Sequence, residues 1–235
     1  MVHARVVESS VTLPSVQVLA SVSPTEDKTW KSFSAFADPA TAPFLRLNPL
    51  PSARDEAEAF AKFFKSENVN IKAGAQATKS SVRATSPSLL LFAAHGLDGL
   101  PSIGVDEPFI ALSPEPSLED NGMLSASEIS GIDFKDTRLA ILSACDSGRV
   151  LRVRMGAFGP LVQAFLASGV RTILATQPVD SKAAHDLMAG FAEQAIGNGK
   201  SVNAALRESV RRLRADAEYA HPYFWAPFVY VGVAR

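Results

Sequence analysis

The sequence has little cysteine, no excess of charge of either sign and no long apolar run, and each shortage removes a class of explanation. With one cysteine among 235 residues, no intramolecular disulfide can form and no thiolate-rich zinc site can be assembled. A reducing compartment suits such a chain. The formal net charge is -1, so no basic field gathers nucleic acid or anionic lipid, and neither nucleic acid nor membrane is expected as a partner. The most apolar stretch, residues 157–176, is broken by Pro160, Gln163, Ser168, Gly169 and Arg171 and cannot cross a bilayer as a continuous helix. The opening residues, MVHARVVESS, lack the charged head and apolar core of a secretory signal, and a cytoplasmic location is expected. The chemistry developed below needs no metal and no cofactor.

What is present is an ordinary globular composition, 47% hydrophobic and 20% charged. A chain this long buries about 70% or more of its unfolded surface without help from disulfides or metal. Short apolar runs rich in β-branched or aromatic residues alternate with helical patterns, which predicts an α/β fold with a largely parallel sheet. Strands are expected near residues 34–37, 69–72, 89–93, 139–143, 172–175 and 228–232, with a short extra one near 109–112. Helices are expected near 53–64, 156–168, 181–196 and 201–217. In the first of these, Ala57, Phe60, Ala61 and Phe64 share one face, Ser52 stands as N-cap, and Asp55 and Glu56 occupy the first turn. Residues 1–49, punctuated by five prolines, read as an irregular N-terminal part, and 50–235 as the main domain. The segment 96–122 also reads as irregular, with Pro101, Pro108, Pro114 and Pro116 along it, and loops of that length are often functional.

The chemistry concentrates in two segments, LLLFAAHG at 89–96 and LAILSACDSG at 139–148. Each is a buried-strand pattern that ends on a reactive side chain followed by small or polar residues. In an open parallel sheet, reacting groups gather beyond the carboxyl ends of the strands, so if these strands are neighbours His95 and Cys145 emerge on one edge. A thiol with an ordinary pKa of about 8.5 is mostly protonated at neutral pH, and an adjacent imidazole takes its proton. The backbone N–H groups of Gly96 and Cys145 are natural donors to the oxyanion formed when a thiolate attacks a carbonyl. Taken singly, each residue has a plainer reading: a free cysteine is often a small buried hydrophobe, and a strand-end histidine can hydrogen-bond a loop. Together, at equivalent ends of two apolar strands, they point to catalysis.

Further segments carry a resemblance. LPSARDEAE at 50–58, AHG at 94–96, NGMLSASEI at 121–129, LSACDSG at 142–148, AFLASGVRTILA at 164–175, PVD at 178–180 and HPYFWAPF at 221–228 resemble, in order, the CHAT-type cysteine peptidases of the caspase and separase superfamily. The resemblance implies a caspase-like, largely parallel sheet flanked by helices on both faces. It also implies a histidine base at His95, a nucleophile at Cys145, and cleavage of a protein substrate without metal or cofactor. Residues 1–49 would then belong to the same domain or to a preceding pseudo-caspase-like segment. By analogy with separase-like members, Asp180 lies where an acidic residue would accept a basic P1 side chain; read from the residues alone, it is equally an N-cap for the following helix. Two departures flank the implied cleft. Thr176-Gln177 replaces the Leu-Trp usual before PVD, and RMGAFG at 154–159 replaces a Gly-Glu-Gly-like stretch. Members of the family commonly sit beside helical repeats, so a regulatory protein or a tetratricopeptide-repeat (TPR) partner is expected. A catalytically silent interaction module is the alternative. The decoy GNGKS at 197–201 resembles the end of a phosphate-binding loop, but Gln194 occupies its first glycine position.

Overall fold

A computed structural model describes residues 11–12, 30–115, 117, 119–143, 158–176 and 180–232. The six expected strands form, each within about a residue of its sequence-based bounds. In chain order the strands of the main sheet are β1 (Val11–Thr12), β2 (Phe33–Ala37), β3 (Val69–Ala73), β4 (Leu89–Ala93), β8 (Leu139–Ser143), β9 (Thr172–Thr176) and β10 (Phe228–Gly232). They lie side by side as β1-β10-β9-β8-β4-β2-β3. All neighbours run parallel except β9 and β10. The strands with the reactive ends, β4 and β8, are direct neighbours in register: Leu89 pairs with Leu139, and Ala93 with Ser143.

Helices cover both faces, as the strand composition requires. Strands buried on both sides must be apolar at every position, and every residue of β4 and β8 is buried. On one face Leu89, Leu91, Ala93, Leu139 and Ile141 pack with α1 (Ser52–Ala61), α5 (Ser181–Ala192) and α6 (Val202–Ala215). On the other, Leu90, Phe92, Ala140 and Leu142 pack with α2 (Lys79–Arg83), α3 (Ala126–Ser130) and α4 (Phe158–Ala167). Each fully buried Leu or Phe contributes roughly 1.5–3 kcal/mol relative to exposure, so β4 is among the most firmly held parts of the sheet.

Three expectations need correction. Ser52 is not the N-cap of α1: the helix begins on Ser52, Pro51 precedes it with helical backbone angles, and no side chain caps it. The proline presets the first turn and needs no donor. Glu56 is not in the first turn, which holds Asp55 alone of the two acids, and it lies 2% exposed on the buried face beside Ala53, Ala57 and Phe60. The segment after His95 is not irregular. It builds a second, antiparallel sheet from β5 (Gly96–Leu97), β6 (Phe109–Ala111) and β7 (Met123–Ser125). β6 falls on the short strand expected near 109–112; β5 and β7, of two and three residues, are too short to show a period of two, and the prolines fall between the strands. Gly122, at φ 77°, enters β7 where an added Cβ would lie 2.4 Å from the Leu112 carbonyl, so only glycine fits. Lys79 anchors this sheet through Asp120 and Glu128, each at 3.0 Å.

Candidate active site

Beyond β4 the chain keeps its alternation for two more residues. Ala94 packs in the core on the α4 side, which returns His95 to the α1 side. His95 is 3% exposed and is held twice: its carbonyl accepts the Ala111 N–H at 2.8 Å, and its Nε2 lies 2.7 Å from the Asn48 carbonyl oxygen. A carbonyl only accepts, so Nε2 carries the proton and Nδ1 is the basic nitrogen of the neutral ring. That Nδ1 is buried and has no hydrogen-bond partner among the described residues. An unsatisfied buried acceptor costs about 1–3 kcal/mol, so the ring is set to receive a donor at this atom.

The Asn48 carbonyl is positioned in turn by Asp38. Asp38 follows β2 directly and lies in the left-handed region at φ 46°. Its N–H donates to Ala93 O at 3.0 Å and its carbonyl accepts from Gly74 N at 3.1 Å. Its Oδ1 accepts the Leu50 N–H at 2.7 Å, two residues beyond Asn48. The segment 48–50 is thereby tied to the ends of β2 and β4 together.

Gly96 stands opposite Ile110. The bond from Ala111 N to His95 O makes the preceding pair the hydrogen-bonded one, so the Gly96 N–H points away from β6. An added Cβ at Gly96 would meet no atom of the described residues within 4 Å. The described residues therefore leave space at this Cβ position and do not themselves demand glycine.

On the neighbouring strand, β8 ends on Ser143. Cys145, two residues on, lies outside the described residues, as do Gln177 and 154–157 of the two departures. Ser143 is 1% exposed and its Oγ–H donates to Glu56 Oε2 at 3.0 Å, while Glu56 Oε1 is buried without a hydrogen-bond partner among the described residues. Burial pushes the Glu56 carboxyl up to about 7, the Ser143 bond partly opposing it. Because the folded value exceeds the unfolded one, the stability this group contributes is fully present below about pH 4.5 and is lost as pH rises toward 7.

Asp180 is the N-cap of α5, its Oδ1 accepting the Ala183 N–H at 2.9 Å. Sequence reasoning missed Asn48, Asp38, Ser143 and Glu56. Asn48 acts through its main chain and leaves no side-chain signal, whereas Glu56 was findable as an acid at the apolar spacing of Ala53, Ala57 and Phe60. Among the described residues no cluster of His, Cys, Asp and Glu could hold a metal, and no helix is long and apolar enough to cross a membrane.

A family model, the CHAT domain, matches residues 4–233. No curated protein matches the sequence. A solved complex of Porphyromonas gingivalis RgpB pro- and mature domains superposes with a TM-score of 0.57 at 9% identity, over 89% of this chain and 48% of that one. A protease structure superposes with a TM-score of 0.53 at 13% identity, again over 89% and 48%. This chain thus spans about half the length of each. At such identities the likeness speaks for the fold alone, and that fold is caspase-like.

Proposed function

We propose, from the premise that this chain belongs to the CHAT domain family, that it is a cysteine endopeptidase acting on a protein substrate through His95 and Cys145. The observation that carries the reading is the state of His95. Its Nε2–H is fixed on the Asn48 carbonyl and its buried Nδ1 has no donor among the described residues, at the end of a strand whose in-register neighbour leads, by an equal two-residue step in sequence from Ser143, to Cys145. In this scheme Nδ1 takes the thiol proton, and the thiolate adds to the peptide carbonyl. The Gly96 and Cys145 amides hold the oxyanion, and the imidazolium returns its proton to the leaving amine. Water, deprotonated by Nδ1, then releases the acyl group. A basic P1 side chain paired with Asp180 belongs to the same proposal, although one oxygen of that carboxyl is committed to its cap. So do a regulatory or TPR-containing protein partner and a cytoplasmic setting.

The altered residues at 154–159 and 176–177 favour a second reading, a caspase-like module that binds without cutting. A peptide carrying an electrophilic carbon in place of the scissile carbonyl separates the two. The peptidase is expected to be labelled at Cys145, about 100-fold or more faster than its His95→Ala variant, read by intact-protein mass. No labelling with or without candidate partners would leave the binding module.

Asp38 gives a finer check. Asp38→Ala leaves the Leu50 N–H without its acceptor and a Cβ-bearing residue in the left-handed region without its local hydrogen bond. It is expected to lower kcat/KM about 5- to 30-fold and stability by about 1–3 kcal/mol, whereas Asp38→Asn, which keeps an acceptor oxygen, recovers most of both. Steady-state kinetics and urea unfolding on the three chains measure this.

A further inference from the structure

Glu56 is a buried acid that the scheme above leaves unused. It joins α1 to the end of β8 through Ser143, while the residues leading into α1 grip His95 through Asn48. One helix and its lead-in therefore touch both strand ends from which the reacting side chains follow. In the sequence Cys145 follows Ser143 by two residues. The elements packed against α1 bring mainly apolar side chains to this core, among them Phe33, Ala35, Leu89, Leu91 and Phe191. Their titratable residues are Lys72 on β3 and Lys182, His185 and Asp186 on α5, with Asp38 beyond β2 and His95 beyond β4; Arg54, Asp55 and Glu58 are on α1 itself. None hydrogen-bonds or ion-pairs with Glu56, whose Oε1 has no partner among the described residues and whose Oε2 meets Ser143.

We propose that Glu56 is a positioning residue: through Ser143 it fixes the end of β8 from which Cys145 follows, and its carboxyl must be uncharged for the thiolate to form readily. The importance given to Cys145 rests on the peptidase reading. A carboxylate here would be a negative charge in an apolar core, with no cation paired to it among the described residues, hydrogen-bonded to the residue two before the cysteine in sequence, and would oppose a second negative charge on the thiol. Burial sets the change of state near neutrality, so the group is neutral on the acid side and charged on the alkaline side.

The chain has one cysteine, so alkylation by iodoacetamide reports on Cys145 alone and needs no substrate. Glu56→Gln keeps an acceptor for Ser143 and cannot ionise. At about pH 5.5 the two chains are expected to react at equal rates, and at about pH 8 Glu56→Gln about five- to tenfold faster. A role in stability alone would open the gap in the opposite direction, because the unaltered chain is the one that loses stability and exposes its thiol as Glu56 ionises; an unaltered chain that reacts faster than Glu56→Gln at about pH 8 therefore overturns the proposal. Profiles that overlay within about twofold across that range overturn the proposal. Ser143→Ala, which cuts the link, is expected to slow peptide cleavage about tenfold at every pH, and an unchanged rate overturns the part played by Ser143. If Cys145→Ala cleaves as well as the unaltered chain while the alkylation profiles still diverge, the peptidase reading falls and the action of Glu56 on the thiol stands. If cleavage requires Cys145 and the profiles overlay, the reverse holds.

Discussion

Cys145→Ala is expected to lower kcat/KM by about 10⁴-fold or more, and His95→Ala by about 10³- to 10⁴-fold, with the double variant no slower than the worse single one. The last expectation is the discriminating one. A nucleophile and its base act as a unit, so once either is gone the other has nothing left to accelerate. A histidine that merely pinned a loop would behave otherwise. Its loss would release the Asn48 carbonyl and lower stability by about 1–3 kcal/mol while leaving the folded protein nearly as fast. Steady-state rates on chains verified as folded by circular dichroism measure this, and a His95→Ala chain within tenfold of the unaltered rate would sink the assignment.

Phe60→Ala is expected to cost about 3–5 kcal/mol, a large part of the stability of a domain of this size. Phe60 has no exposed surface. Its ring stacks on Phe33 of β2 at 5.8 Å between centroids and meets Phe191 of α5 at 6.3 Å, so it bolts α1 to the sheet and to a second helix at once. Removing it leaves a cavity under the helix that holds Glu56 and follows Asn48, so activity is expected to fade before global unfolding, in less urea than the main transition. The same truncation at Phe44, 53% exposed, is expected to change stability by no more than about 0.5 kcal/mol. Urea melts followed by fluorescence compare the two, and equal midpoints would contradict the packing argument.

These two predictions differ in how far they could be read without coordinates. β4 and β8 are legible because strands buried on both faces must be apolar throughout, and LLLFA and LAILS stop abruptly where the sheet ends. His95 and Cys145 stand out by that interruption. Phe60 follows from helical spacing. The supports of His95 are different in kind. Asn48 contributes a carbonyl that any residue carries, and Asp38 acts on it only because β2 lies beside β4, a pairing that chain order does not announce. Glu56 was visible as an acid at a core position, yet the first-turn preference for acidic residues supplied a competing explanation. Of the second sheet, β6 was legible as the short apolar run near 109–112, whereas β5 and β7 escaped because they are shorter than any periodicity and are pinned by tertiary contacts such as Lys79 with Asp120 and Glu128. At the end of α5, the shift at Glu193–Gly197 to a wider helical turn left no mark in the apolar spacing.

The position of β10 bears on how the molecule is made. It enters between β9 and the much earlier β1, so during synthesis β9 shows a bare edge until residue 232 has left the ribosome. β1 finds its neighbour only after most of the chain has been made, a closure across a very long loop that is slow and exposed to mispairing. The nascent chain is therefore in its most vulnerable form after both reactive segments have been translated but before the sheet is sealed. A chaperone that shields a strand edge in that interval would raise the yield of native protein more than one that acts on the finished domain.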